Sequence, residues 1–389
     1  MNISFITREL HELRAHFNQH GFDLRLVGGG VRDTLAGVKP KDIDLATDAT
    51  PNQQIEIYNS HNYRWIGTGV EHGTVTVVLN GEPHEITSLR VDVKTDGRHA
   101  EVAFTNNWEL DAARRDFTIN SMSLSFDGKL FDPFGGEEDL KNSVVRFVGN
   151  AEDRIKEDYL RILRFFRFVG RFGNCQIDDS TNRAILKNAE GLQNISRERI
   201  WSEFQKILPQ DHSPNLMAHL LQRCIFRNIT EMTAPYIEEW PYFNVLRNAL
   251  KVTKNPELLM AAACNFKSAA IDVIAINWRW SNVDKDHALW ICNHINQSCD
   301  LRRLIAIDNA PREWVIELAA LENRDSWEQN ALAQWVFEPF PVNGNDLMAL
   351  GIKPGFAMGV MLSQLKEDWG QSGFSATKEE LLDIVARII

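Results

Sequence analysis

A change of texture near residue 150 limits the fold more than any other feature of this sequence. Upstream of it, period-two alternation recurs: HGTVTVVL and HEITSLRV read as two strands joined around Asn80-Gly81, and KDIDLAT (41–47) reads as a half-buried strand. Pro83 predicts a connection longer than two residues between the first pair. Downstream, nearly every segment carries helical periodicity and strand patterns almost vanish. The expectation is an α+β fold, with a mixed-sheet head followed by an all-helical remainder. Pro209 and the Pro339–Pro341 stretch punctuate that remainder, which divides the chain into a head (1–142), neck (143–208), body (209–330) and tail (331–389).

The head carries chemistry at two places. FDLRLV runs as a strand into Gly28-Gly29-Gly30, and a short helix follows, so backbone N–H groups at a helix N-terminus offer an anion site. Glycine lets a phosphate approach because no Cβ intervenes, and Arg32 stands ready to pair with its oxygens. The spacing is neither G-x-G-x-x-G nor a P-loop. Asp42-Ile43-Asp44 follows twelve to fourteen residues after Gly30. Residues two apart on a strand share a face, so both carboxylates point the same way and repel. A divalent cation relieves that repulsion, and hard oxygen ligands suit Mg²⁺. Alone, such an acid pair is most simply two solvated strand residues; beside the glycine turn it puts metal and phosphate sites together.

EDYLRILRFFRF (157–168) reads as one helix with Asp158 and Arg161 as i,i+3 neighbours. Ile162, Leu163, Phe166 and Val169 form its apolar stripe. The chain carries −11 overall, yet Arg154–Arg171 holds six basic residues against two acids. A basic stripe inside an acidic chain suits an anionic substrate.

With these residues quoted, LVGGGVRDTLAGVKPKDIDLAT resembles the signature of the tRNA nucleotidyltransferase/poly(A) polymerase branch of the nucleotidyltransferase superfamily, specifically the class II CCA-adding enzymes. RRDFTINSM (114–122), FDPFGGEEDLKN (131–142), EDYLRILRFFRF and ISRERIWSEFQKIL (195–208) extend the resemblance over residues 22–208, and VNGNDLMALGIKPG (342–355) matches in the tail. The resemblance implies template-free addition of CCA to tRNA from CTP and ATP, with partial CC or A addition, or poly(A) synthesis, as alternatives. It implies two-metal nucleotidyl transfer with release of pyrophosphate, in which Asp42 and Asp44 hold the Mg²⁺ ions and Glu85 is the candidate third carboxylate. It implies nucleotide contacts from Gly28, Gly29, Arg32, Arg115 and Asp116, the last near the ribose 2′-hydroxyl, with Arg164 and Arg167 toward the triphosphate or primer.

Asp158 and Arg161 match the family's protein template. A carboxylate accepts from an exocyclic amine and a guanidinium donates to ring nitrogen or carbonyl, a pattern that C and A satisfy and U and G do not. Since both correct bases satisfy one pair, a moving element must switch between them, and the polar stretch Arg90–Asp111 is the candidate. Glu157 is expected to orient Arg161, and Asn120 to join the site or cap a turn. Body and tail are implied to grip the acceptor stem and TΨC arm.

The N-terminus shows no signal-peptide core, Glu9 and Glu12 argue against a transit peptide, and no apolar run approaches membrane length. The five cysteines (Cys175, Cys224, Cys264, Cys292, Cys299) form no C-x-x-C pair. The expectation is a cytoplasmic protein with reduced thiols, monomeric or homodimeric. The eleven tryptophans read as core residues.

Overall fold

Asn80 and Gly81 both take positive φ (49° and 89°), the conformation of a two-residue hairpin turn. Strand β4 (Thr74–Leu79) and β5 (Glu82–Ser88) therefore close directly, with Leu79 opposite Glu82. Pro83 does not lengthen the connection as its sequence position predicts. It faces Val78 in the non-hydrogen-bonded position next to the turn, where its missing N–H takes nothing from the β4 ladder.

The structure is a computed structural model that describes residues 5–40, 42–95, 100–172, 177–223, 225, 228 and 242–387. The chain divides into two compact units, Met1–Glu231 and Met232–Ile389. In the first, seven strands form one sheet in the order β3-β4-β5-β2-β1-β8-β9. The inner strands are β1 (Leu24–Val27) and β2 (Leu45–Thr47); β3 is Arg64–Gly69, β8 Ser123–Ser125 and β9 Leu130–Phe131. Antiparallel pairing dominates, but β2 runs parallel to β5, with Leu45 opposite Ile86. Leu24, Leu26, Leu45, Val75, Val77 and Ile86 are fully or almost fully buried against helices α1 (Arg8–Gln19) and α3 (Pro51–Ser60). Thr50 and Gln53 form a capping box that starts α3.

The stretch Arg90–Asp111 is more ordered than a loop. It forms a separate hairpin, β6 (Arg90–Thr95) and β7 (Ala100–Phe104), followed by the start of α4 (Trp108–Ala113); residues 96–99 lie outside the described residues. Helix α2 (Gly28–Leu35) begins at the first glycine, so the three glycines are its opening turn rather than a loop ahead of it.

Phe117 bridges to Phe147, and their rings lie 4.8 Å apart; Phe147 stacks on Phe165 of the neck at 5.6 Å. This aromatic cluster fastens the neck helices to the residue that follows Asp116. Close approach of backbone completes the junction. A Cβ on Gly136, in α5 (Gly136–Lys141), would lie 2.2 Å from the Thr118 carbonyl oxygen, whereas one on Gly135 would meet nothing. Gly136→Ala is therefore expected to cost about 3 kcal/mol or more, since it also pulls Asp139 from its 2.7 Å hydrogen bond with Thr118. Gly135→Ala, at φ +74°, is expected to cost only about 1–2 kcal/mol of backbone strain. Urea unfolding of both variants checks the order.

Among the described residues of the second unit every regular element is a helix, from Phe243–Ala249 to Lys378–Ala386. Trp278, Trp280 and Trp369 are buried there, but Trp327 is 67% exposed, so not every tryptophan is core. Cys264, Cys292 and Cys299 are free thiols; Cys175 and Cys224 lie outside the described residues. Among the described residues no helix is long and apolar enough to cross a membrane.

Candidate functional site

Asp42 and Asp44 are not on a strand. The segment Asp42-Ile43-Asp44 precedes β2 as irregular chain, because the sheet ladder reaches only as far as the Asp44 carbonyl, which accepts from Val27 N–H at 3.0 Å. Alternation survives without the ladder: Ile43 packs against the head core while Asp42 and Asp44 are exposed. The β2–β5 register then sets Asp44 level with Glu85, one residue before the Leu45–Ile86 pair. Asp44 meets solvent, yet crowding by the surrounding protein pushes its carboxyl above the usual range. Arg115 opposes this, and Asp42 and Glu85 add to it as like charges.

The glycine turn abuts this acid. Gly28 sits at φ +62°, and a Cβ there would lie 3.1 Å from Arg115 Nη1 and 3.9 Å from Asp44 Oδ2. A Cβ on Gly29 would likewise reach Asp44 Oδ2 at 3.9 Å. At Gly28 the positive φ favours glycine and the Arg115 contact is tight, whereas at Gly29 a Cβ would sit at ordinary contact distance. Arg32 lines the cleft but is held by protein partners. It is buried, pairs with Asp33 at 2.9 Å and donates to Asn120 at 2.6 Å. Phe168 and Phe172 lie 4.9 and 5.2 Å from its guanidinium, so aromatic faces share the buried charge. Asn120 passes the connection on by donating to Asp116 at 2.9 Å.

Asp116 is almost fully enclosed and accepts from Phe117 N–H, Asn120 and Arg164 Nε, the last at 2.8 Å. Burial alone would raise its carboxyl, but Arg164 and Asn120 outweigh it and hold it below the usual range. Asp111 was not singled out in the sequence, yet it is buried and takes Arg114 at 2.8 Å and Arg115 at 3.0 Å. Its signal was the placement of an acid three and four residues before paired arginines on a helix. Burial pushes this carboxyl up as well, and Arg115 and Arg114 pull it down further. Both acids therefore stabilise the fold fully above the unfolded carboxyl value near ~4, and that contribution is lost as pH falls through their lower folded values. Asp111→Asn is expected to cost about 3 kcal/mol at pH 7 and to flatten the acid limb of the stability curve, read by urea midpoints from pH 7 to pH 3.

EDYLRILRFFRF is not one helix. Helix α6 (Ala151–Glu157) ends at Asp158, which is extended (φ −154°), and α7 (Arg161–Phe172) begins three residues later. Asp158 side-chain oxygen accepts from Leu160 N–H at 3.1 Å, the local bond by which an aspartate competes with helix continuation. A Cβ on Gly191 would fall 2.2 Å from the Tyr159 ring, so the break is also packed from outside. The Arg161 backbone N–H donates to the Asp158 carbonyl at 3.0 Å, but the two side chains do not pair with each other. Arg161 donates to Glu157 at 2.6 Å and to the Arg154 carbonyl at 2.9 Å, while Asp158 takes Arg199 at 2.7 Å from α9 (Arg197–Ile207).

Along α7 the predicted apolar stripe is buried, joined by Phe165 and Phe168. Arg167 meets the buried Glu203 of α9 at 3.3 Å and lies 4.6 Å from the Phe168 ring. Glu203 was missed, although its place on the apolar face of α9 beside Ile200, Phe204 and Ile207 was a signal for a buried charge partner.

Gly28, Gly29, Arg32, Asp44, Arg115, Asp116, Asp158, Arg161, Arg164 and Arg167 line one cleft of about 800 Å³. Nine arginines and a lysine face it against three aspartates, which makes it electropositive inside an acidic chain. Asp42 and Glu85 are not on that wall. Glu85 lines an adjoining cavity of about 240 Å³ that shares Asp44, Arg90, Arg114 and Arg115 with it.

Among the described residues no three His, Cys, Asp or Glu side chains form a metal cage. The donors nonetheless fit a hard divalent cation. Asp42 lies close enough to disfavour the charge on Asp44, and Mg²⁺ is commonly held by one or two carboxylates together with substrate phosphates.

A helix opening for phosphate, mutually repelling acids and an arginine wall make this a nucleotidyltransferase in layout. The chain matches the family described as "Poly A polymerase head domain" over residues 24–146, and "Probable RNA and SrmB- binding site of polymerase A" over 174–237. It is 40% identical to CCA tRNA nucleotidyltransferase 1, mitochondrial, of Mus musculus, and 42% identical to that of Homo sapiens; each match covers 99% of this chain and 91% of the relative. The Bacillus stearothermophilus CCA-adding enzyme, solved in complex with CTP, superposes with a TM-score of 0.83 over 100% of this chain and 98% of that one, at 26% identity. The chain belongs to the tRNA nucleotidyltransferase/poly(A) polymerase family, with the CCA-adding enzymes as its relatives.

These names overturn the cytoplasmic expectation, since the mouse, human and zebrafish relatives are all named mitochondrial. Compartment is set by an address signal, and neither the fold nor thiol usage encodes it.

Proposed function

We propose that this chain adds CCA to the 3′ end of tRNA without a nucleic-acid template, using CTP and ATP and releasing pyrophosphate. The observation that carries the reading is the single cleft in which the glycine turn and Asp44 adjoin the Asp158/Arg161 break. The α2 glycine turn and Arg115 receive the triphosphate, whose oxygens meet backbone N–H groups at the helix start. Asp42 and Asp44 would hold Mg²⁺, which would supply Lewis-acid stabilisation of the phosphoryl oxygens and lower the pKa of the attacking hydroxyl. Glu85 faces Asp44 from the neighbouring strand and tunes its charge. The primer 3′-oxygen attacks the α-phosphorus and the bond to pyrophosphate breaks in line.

Asp116 is positioned by Asn120 and Arg164, so a ribose hydroxyl would enter an already ordered acceptor. Asp158 accepts from the exocyclic amine of C or A, and Arg161 donates to the adjacent ring nitrogen. Arg90, at the root of the β6–β7 hairpin, lines both cavities, which favours this hairpin as the element that changes between C and A. Body and tail hold the tRNA acceptor stem and TΨC arm. Incubation with tRNA lacking CCA, CTP and ATP, followed by 3′-end sequencing, is expected to show complete CCA. Arrest at CC, addition of A alone or a poly(A) tail would overturn the reading.

A further inference from the structure

Asp158 and Arg161 carry opposite charges three residues apart, and a direct ion pair would satisfy each with the other. Neither would then keep an edge for a base. The structure separates them by giving each its own partner. Glu157 Oε2 accepts from Arg161 Nη1 at 2.6 Å, and Arg199 Nη2 donates to Asp158 Oδ2 at 2.7 Å. Leu160 N–H donates to the other Asp158 oxygen at 3.1 Å. A carboxylate has about four acceptor directions, so these two donors orient the group and leave capacity for a third.

We propose that Arg199 is a positioning residue for base selection: by holding Asp158 from α9 it prevents collapse of that carboxylate onto Arg161, so that both groups face the incoming base. The inference rests on the CCA-adding reading above. Helix α9 packs against α7 and buries Ile200, Phe204 and Ile207, which fixes the point from which Arg199 reaches across. Arg199 also lines the cleft, on the same wall as Asp158 and Arg161. Glu157 performs the matching task for Arg161 from within α6. Two sorted ion pairs therefore replace one self-satisfied pair.

The test is single-nucleotide extension with CTP against UTP, and with ATP against GTP, on primers awaiting C or A. Arg199→Ala is expected to lower the preference for the correct base by at least about 10-fold, mainly through a raised KM for the correct nucleotide. Arg199→Lys, which keeps a cation on a shorter reach, is expected to restore most of it. A purely structural role would slow all four nucleotides alike and give lysine no selective rescue, which would overturn the proposal. If Arg199→Ala does not fold, Arg199→Gln, which keeps a donor without the charge, reads the same preference. Asp158→Ala separates the two levels of the argument. Full preference in the Arg199 variants with loss in Asp158→Ala overturns the role of Arg199 alone. Full preference in both overturns the base reading from which it starts.

Discussion

Asp44→Ala is expected to lower nucleotidyl transfer by at least about 10³-fold while leaving the protein folded. The lost Lewis-acid contribution is several kcal/mol, and each ~1.4 kcal/mol is tenfold in rate. Its carboxyl is held above the usual range by desolvation and by the charges of Asp42 and Asp44's other neighbour Glu85, so ionising it works against the fold at neutral pH. Alanine there should keep or slightly raise the thermal midpoint. Asp42→Ala is expected to match it in activity, since Asp42 is exposed and anchors no core contact. Steady-state extension assays and thermal melts check both halves. Product formation at the wild-type rate in either variant would remove that acid from the metal site, and a large drop in midpoint would make the role of Asp44 structural.

The second large effect concerns accuracy rather than rate. Asp158→Ala and Arg161→Ala are expected to let UTP and GTP compete by about 5- to 150-fold more than in wild type, because each wrong base otherwise leaves a buried group unpaired at about 1–3 kcal/mol. The two changes differ in what they leave behind. Asp158→Ala takes one carboxylate from the partly exposed Arg199, whereas Arg161→Ala leaves Glu157 still paired with Arg154. Arg161→Ala should therefore cost less stability than selectivity. Four-nucleotide competition followed by product sequencing reads the effect, and unchanged selectivity would exclude a protein template at this break.

Much of the site was legible because its signals are local. Gly28 at positive φ, the Asp42/Asp44 alternation about Ile43 and the Glu157–Arg161 spacing each depend on a few consecutive residues. The partners of the arginines were not legible. Arg164 to Asp116 spans 48 positions and Arg199 to Asp158 spans 41, and no pattern along the chain reports such a pairing. A charged residue reads as solvated until the element facing it is known.

The break inside EDYLRILRFFRF marks the same limit. Periodicity predicted one helix because the apolar stripe is continuous in helical phase; the stop comes from the Asp158 hydrogen bond to Leu160 N–H and from Tyr159 packed on Gly191. By itself the sequence determined the α+β head, the helical remainder and the identity of the reactive groups, since periodicity, glycine dihedrals and acid spacing are properties of neighbouring residues. Only the tertiary structure decided which charge faces which, because long-range packing of α7 and α9 against the head brings those groups within hydrogen-bonding distance.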